Sequence, residues 1–407
     1  MDAVGINWYT VEITPDGKPI PTYRVLDGVG NLIDGAEMPE ISRDLARKIY
    51  ENMVLLPTVD NLLYNVQRQG KISFYVGVLL SYSTLNSTPP TDDRGQYREL
   101  GVLLWRGWGL DATMAQCFGS KEDESSKGRQ MPVHWGSSKY HFHTISSPLA
   151  TQVPQAAGVA YALRRDPLRR GKNVAAVYFG EGAASEGDAH AGMLFASTLP
   201  SPTLFIARNN GFAISTPASE QYFGDGIAAR GAAFGMDTIR VDGNDVLAVL
   251  AATRKARTLC VEKGRGVVIE AMTYRVGHHS TSDDSFAYRP RQEVEDRKRI
   301  DNPIARFRLF LHSQGWWTDE EEEELKSRLK ADVMRAFKKA DSAERGPLGN
   351  VFTDVYGGEE PWNLKEQRAE LAQLLKKYGQ TWEPWKAELN KFSDKGENLM
   401  QGHEKDE

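Results

Sequence analysis

The chain has 407 residues, a formal net charge of −5 from 50 Lys and Arg against 55 Asp and Glu, and only two cysteines, Cys117 and Cys260, far apart. That length can bury one large core with extensions, while the scattered, weakly acidic charge argues against a nucleic-acid partner and the cysteines against a disulfide framework or a cysteine metal site. No apolar run approaches the ~20 residues of a membrane span, and the start, with Asp2, Glu12 and Asp16 ahead of Lys18, reads as neither a secretory signal nor an Arg-rich presequence.

Residues 1–40 carry turn signals (Pro15-Asp16-Gly17, Asp27-Gly28, Asp34-Gly35) and short strand-like pieces such as Tyr23–Leu26, the pattern of an extension wrapped on a larger body. Ser42 opens a helix in which Leu45, Ile49, Met53 and Leu56 recur at helical spacing. Residues 76–94 begin apolar and run into Ser-Tyr-Ser-Thr-Leu-Asn-Ser-Thr-Pro-Pro-Thr, which predicts an irregular loop. From Leu100 to Thr273, strand-like runs at 174–179, 203–207, 238–242 and 267–273 alternate with helical segments, so an α/β fold with a mostly parallel sheet flanked by helices is expected. Asp245 is placed to cap a helix carrying Val246, Val249, Leu250 and Thr253. The polar stretch Gly277–Asp284 has few apolar anchors and reads as a loop that a ligand would order. Thereafter the chain is helical and more charged: Thr318 and Glu321 form a capping box ahead of a stripe of Leu325, Leu329, Val333 and Phe337. The divisions expected are 1–40, 41–300, 301–393 and a polar tail, 394–407.

The stretch from Val174 to Asn210 is the most informative. An apolar run breaks into Gly180-Glu181-Gly182; a helix beginning near Ala183 leads to a second run ending in Arg208-Asn209-Asn210. As a parallel βαβ unit, both endings lie on the carboxyl edge of the sheet, where such folds bind ligands. The glycines allow backbone to approach a phosphate, and a helix start favours the same anion. Glu181 and Asn210 are hard oxygen ligands for Mg2+, which completes its shell with phosphate and water. The pattern is that of a diphosphate-plus-metal site; a capped βα turn with no ligand is the alternative.

Other segments join it. Gln96-Tyr97-Arg98-Glu99 precedes an apolar helix, Thr144–Gln152 is a hydroxyl-rich turn opening another, Asn209–Pro217 extends the metal site, and Tyr274–Ser280 contains a His pair. His141 and His143 are spaced as a metal pair, but His134, the nearest third histidine, is at no ligand spacing, so these are assigned to core or surface. In this order and wording the segments resemble the α subunits of branched-chain 2-oxoacid dehydrogenases over roughly residues 20–380. Gly-Glu-Gly-Ala-Ala-Ser-Glu-Gly-Asp (180–188) and His-His-Ser-Thr-Ser-Asp-Asp (278–284) are similar to that group rather than to the pyruvate dehydrogenases, and pyruvate is the runner-up substrate.

The resemblance implies thiamin diphosphate, Mg2+ and K+ as cofactors, decarboxylation of a branched-chain 2-oxoacid, and acyl transfer to a lipoyl-bearing acyltransferase core. It implies a β subunit partner in an α2β2 tetramer, control by a kinase and phosphatase, and the mitochondrial matrix as location. By position, Glu181, Asn210 and the Phe212 carbonyl would hold Mg2+. Arg208, Arg98 and His279 would face the diphosphate, and Gln96, Tyr97, Ser147 and Leu149 the thiazolium and substrate side. Gly180, Gly182 and Ala183 would give close backbone approach, and Ser146, Pro148, Thr151 and Gln152 would bind K+. His279 would be catalytic and Ser280 the regulatory phosphorylation site; the family's second such serine is Pro290 here. The likeness breaks between Tyr75 and Gly95, where the family has a Gly-Glu-Glu helix near the cofactor and this chain is shorter and rich in Ser, Thr and Pro. A shifted reading frame or altered splicing would produce such a break. The expectation is a pocket short of one wall, with a non-catalytic assembly subunit as the alternative.

Overall fold

The computed structural model describes residues 19–76, 91–346, 348–353, 356–378 and 381. Seven strands build one parallel sheet: β1 (Thr22–Tyr23), β2 (Thr91–Arg94), β3 (Phe142–His143), β4 (Val174–Gly180), β5 (Thr203–Asn209), β8 (Asp237–Asp242) and β9 (Val267–Met272); β6 (Phe212–Ala213) and β7 (Thr216–Pro217) form a small antiparallel hairpin. Their order is β1-β8-β9-β5-β4-β2-β3. β4 as far as Phe179 and the Leu204–Ala207 run of β5 are unbroken apolar stretches because both faces are covered. Val174, Ala176, Tyr178, Leu204 and Ile206 belong to one hydrophobic cluster, and their alternates Val177, Phe179, Phe205 and Ala207 to another.

Helices cover both faces. The first cluster takes in α1 (Arg43–Arg68), α9 (Val246–Lys263), α11 (Pro303–Ser313) and α12 (Asp319–Ser342), after α2 (Leu100–Trp105) and α3 (Leu110–Phe118). The second takes in α4 (Gln152–Arg165) and α6 (Gly187–Thr198). The remaining helices are α5 (Glu181–Ala184), α7 (Ala218–Gln221), α8 (Ala228–Ala233), α10 (Arg291–Ile300) and α13 (Trp362–Tyr378). Ser42 Oγ accepts the Leu45 N–H (3.2 Å) to start α1, and the Thr318–Glu321 capping box starts α12, with Leu325, Leu329 and Val333 buried. No helix among the described residues is long and apolar enough to cross a membrane.

The N-terminal segment is tied to the sheet by charge. Asp245 caps α9 through the Leu247 and Ala248 N–H groups (3.1 Å each) and also accepts from Val25 (2.7 Å) and Leu26 (2.6 Å). Arg240 Nη1 donates to the Ile20 carbonyl (2.7 Å).

Two expectations need correction. The irregular loop over 76–94 ends too late: Thr91–Arg94 is β2, parallel between β4 and β3. Asp93 is fully buried there because Arg106 sits 2.5 Å from its carboxylate, a pairing that makes an interior charge tolerable. Gly95 follows because a Cβ would collide with the Phe142 ring. Residues 77–90 and the polar tail from 394 lie outside the described residues. Secondly, the helix after Gly182 is not continuous. A single turn, α5, stops at Ala184, and α6 starts at Gly187 with Glu186 extended (φ −79°, ψ 150°). Ser185 Oγ hydrogen-bonds back to the Glu181 carbonyl (3.2 Å), the local competition by which serine interrupts helices.

Candidate functional site

Five strands release their chains at one edge of the sheet. The loop 95–99 leaves β2, 144–151 leaves β3, 181–186 leaves β4, 210–214 leaves β5 and 273–285 leaves β9, all from carboxyl ends. They converge on a cavity of ≈ 180 Å³ lined by Gln96, Tyr97, Arg98, Leu149, Gly180–Ala183, Arg208, Asn210, Phe212 and His279. Arg275, Glu186, Ala213 and Ile214 complete its wall.

β4 and β5 set the centre. Gly180 lies opposite Arg208 in the ladder, so the residues just beyond, Glu181 and Asn210, face the same space. Glu181 is 1% exposed, and burial pushes its carboxyl up to about 7 against the N–H groups around it. Its Oε1 accepts the Gly211 N–H at 2.5 Å, and Asn210 Oδ1 accepts that of Phe212 at 3.2 Å. Asn209, by contrast, is turned into the core, where its Nδ2 donates to the fully buried Glu270 (2.8 Å). Glu270 also accepts from Ile227 N (2.8 Å), Ala228 N (3.0 Å) and Arg240 Nε (2.9 Å). The first Asn of the pair thus anchors the turn and the second serves the site. Carboxylate, amide and backbone carbonyl are the oxygen donors a hard divalent cation takes. No group of three or more His, Cys, Asp or Glu that could hold a metal occurs among the described residues.

The anion side is equally plain. Arg208 is 2% exposed and paired with Glu99 at 2.5 Å, yet its Nε and Nη1 have no acceptor among the described residues. Buried unpaired donors on a cation call for an anion. A Cβ on Gly180 would meet only the Arg208 carbonyl at 3.7 Å, and one on Gly182 only Ala213 Cβ (3.4 Å) and Leu149 Cδ1 (3.6 Å). The chain's own packing therefore does not demand these glycines, and the room they leave is room for a ligand.

Arg98 reaches His279, donating from Nη2 to ring Nδ1 (3.0 Å) and to the backbone carbonyl (3.1 Å). A guanidinium only donates, so Nδ1 accepts and the His279 proton sits on Nε2. Burial, then Arg98 and Arg275, push this imidazole down to about 4. His279 is thus a neutral hydrogen-bond donor, not a base, with Tyr97 edge-on to its ring (centroids 6.2 Å). The loop that carries it is anchored by polar contacts: Asp283 accepts from His279 N (2.7 Å) and the Tyr288 hydroxyl (2.8 Å), and Thr281 N donates to the Tyr75 carbonyl (3.3 Å). Ser280, 8% exposed, has its hydroxyl 3.1 Å from that of Ser282.

The remaining residues named from sequence lie beside the cavity. Ser146, Ser147 and Pro148 are exposed on the turn before α4. Thr151 Oγ1 donates to the Pro148 carbonyl (3.3 Å), Ala150 takes a left-handed φ of +64°, and Gln152 Nε2 donates to the Tyr178 carbonyl (3.0 Å). Oxygens thus crowd one tight turn. Ser147 Oγ is 2.7 Å from His134 Nε2. Sequence reasoning missed Arg275, which is fully buried and donates to Ile214 O (2.7 Å) and Tyr288 Oη (2.6 Å); its place between Tyr274 and the His pair was the available signal. His134 has no ligand spacing in the sequence, and no spacing argument finds a partner thirteen residues on.

A model of the dehydrogenase E1 component family matches residues 50–347. The chain is 51% identical over 366 residues to the mitochondrial 2-oxoisovalerate dehydrogenase subunit alpha of Homo sapiens, covering 89% of this chain and 81% of that protein. It is 48% identical over 368 residues to the Caenorhabditis elegans protein of that name (89% and 84%) and 47% identical over 373 to the subunit alpha 1 of Arabidopsis thaliana (90% and 78%).

Proposed function

This chain belongs to the dehydrogenase E1 component family, and from that premise we propose that it is the α subunit of a branched-chain 2-oxoacid dehydrogenase. With a β subunit, it carries out the oxidative decarboxylation of branched-chain 2-oxoacids such as 3-methyl-2-oxobutanoate and passes the acyl group to the lipoyl group of an acyltransferase. The observation that carries the reading is the convergence of Gln96–Arg98, Leu149, Gly180–Ala183, Arg208, Asn210, Phe212 and His279 on one cavity. The relatives are named for 2-oxoisovalerate, a branched-chain 2-oxoacid, which does not favour a pyruvate enzyme. An intact constellation does not favour a non-catalytic subunit. Their mitochondrial designation supports a mitochondrial location.

Thiamin diphosphate, when bound, supplies the stabilisation of negative charge that decarboxylation requires. This chain's residues do the rest of what falls to it. Glu181, Asn210 and the Phe212 carbonyl would hold Mg2+, whose charge would keep Glu181 ionised where burial alone raises it. Arg208 and Arg98 would clamp the diphosphate with charge-assisted bonds. His279 would present its Nε2 proton to substrate or coenzyme. The crowded oxygens around Ser146, Pro148, Thr151 and Gln152 suit K+, which would stiffen the turn bearing Ser147. The subunit-alpha designation of the relatives supports a β subunit partner. Phosphorylation of Ser280 by a kinase would need the loop to open and would then set an anion beside a diphosphate, excluding it by repulsion; a phosphatase would reverse it.

The test is assembly with a matching β subunit and titration with thiamin diphosphate and Mg2+, following 3-methyl-2-oxobutanoate decarboxylation with an artificial electron acceptor. Saturable, Mg2+-dependent turnover that Glu181→Ala abolishes is expected. A folded tetramer that binds no coenzyme would overturn the reading.

A further inference from the structure

Val133 has φ +68°, a left-handed conformation that a β-branched residue adopts only when its surroundings compel it. The surroundings are identifiable. Gln116, buried on α3, donates from Nε2 to the Met131 carbonyl (2.8 Å) and accepts the Val133 N–H at Oε1 (3.1 Å). One side-chain amide thereby clamps the backbone on both sides of Pro132. What the clamp positions is the next residue. His134 is buried, with Nδ1 3.1 Å from the Pro132 carbonyl and Nε2 2.7 Å from Ser147 Oγ. A carbonyl only accepts, so Nδ1 carries the proton. In the neutral ring Nε2 is then an acceptor, and the Ser147 hydroxyl must donate to it. This fixes the polarity of an exposed hydroxyl two residues from Leu149, a wall of the cavity: its hydrogen points inward and its lone pairs outward.

We propose that His134 is a positioning residue of this site, holding the Ser147 hydroxyl as a hydrogen-bond acceptor for a donor group on the coenzyme or substrate, with Gln116 and the strained Val133 as its support. The inference rests on the functional reading above. It also explains why an unfavourable backbone conformation is kept beside the site: strain of this kind persists where it orients a working group.

The test uses the assembled α2β2 enzyme with His134→Leu, His134→Gln, Ser147→Ala and the His134→Leu/Ser147→Ala double variant. Thiamin diphosphate affinity is read by fluorescence quenching, kcat and KM with 3-methyl-2-oxobutanoate, and the midpoint of thermal unfolding alongside. Loss of one oriented hydrogen bond is expected to lower kcat, or to weaken coenzyme binding, about tenfold in each of His134→Leu and Ser147→Ala. The double variant should be no worse than either single one, because both remove one interaction. His134→Gln should recover most of the loss, since its amide can donate to Pro132 and accept from Ser147. Should His134→Leu fail to assemble, Ser147→Ala, an exposed position, and His134→Gln carry the comparison. Losses that multiply in the double variant, a Ser147→Ala enzyme like wild type, or a His134→Leu effect confined to the unfolding midpoint would each overturn the inference. Wild type that binds and turns over while the variants are unchanged sinks this inference alone; wild type that binds no coenzyme sinks the functional reading and this with it.

Discussion

Arg208 and Glu99 are each almost wholly enclosed, and neither charge could be there alone. Burial raises the Glu99 carboxyl while Arg208 opposes the shift, and the same carboxylate accepts the Gln96 N–H at 2.5 Å. One acid therefore orients both the anion-binding guanidinium and the turn that carries Gln96, Tyr97 and Arg98. Removing one member of a buried pair costs roughly 3–5 kcal/mol because the other is left uncompensated. Glu99→Ala should lose about that much in denaturant unfolding of the assembled protein; a loss within error of zero would mean that water or a counter-ion reaches Arg208. His279 gives a pH signature. Folded, its imidazole is held down to about 4; unfolded, it titrates at its ordinary 6.5. Between those values the unfolded chain binds more protons. The contribution to stability is thus complete above pH 6.5 and is lost as pH falls through 4. His279→Gln should flatten that part of the stability–pH curve, measured on the coenzyme-free assembly, and coincident curves for the two proteins would refute a neutral, buried His279.

At the scale of elements, close packing decides against propensity. Gly192 lies within α6 where it crosses α4, and a Cβ there would stand 2.7 Å from Pro154 N and 2.8 Å from the Val153 carbonyl carbon. Alanine gains about 1 kcal/mol over glycine in a helix interior, but overpacking against backbone costs about 1–3 kcal/mol. Gly192→Ala is expected to lower the thermal midpoint of the assembly, and an unchanged or raised midpoint would show that the helices can separate freely. The same elements show where sequence was readable. β4, β5, β8 and β9 were legible because two-sided burial favours apolar and β-branched residues, which dominate β4 and the Leu204–Ala207 run and recur in β8 and β9 around the paired Arg240 and Glu270, and Asp245 and Thr318 announced their helices through caps. Thr91-Asp-Asp-Arg94 was not, because Asp is a poor strand residue and the Arg106 pairing that helps make Asp93 tolerable inside is invisible in sequence. The break at Ser185 had a signal in Ser185, Gly187 and Asp188, all weak helix formers, and the Ser185 hydroxyl bonded back to the Glu181 carbonyl marks the place. Val133 and His134 belong with β2, since a left-handed valine is a product of its neighbours and not of its own preference.

Across the whole molecule, a few carboxylates join segments distant in sequence. Asp245 holds the N-terminal segment and the start of α9 together, so Asp245→Ala should remove a cap of about 1 kcal/mol and leave the Val25 and Leu26 N–H groups unpaired at about 1–3 kcal/mol each. Limited proteolysis should then release the first residues well before the core is cut, and equal release from wild type would argue that the tie is idle. The family resemblance was legible from motifs alone because each motif sits where a strand ends. What it could not convey is that Tyr75 itself meets the histidine loop, its carbonyl accepting from Thr281.

The strand ladder has a thermal corollary. Glu181 and Asn210 are spaced by the pairing of Gly180 with Arg208, so the gap between them is a property of the same hydrogen bonds that hold the core. On heating, capacity for a metal–diphosphate ligand and the circular dichroism of the sheet should disappear along one curve, and prior warming short of that transition should leave the binding capacity recovered on cooling undiminished.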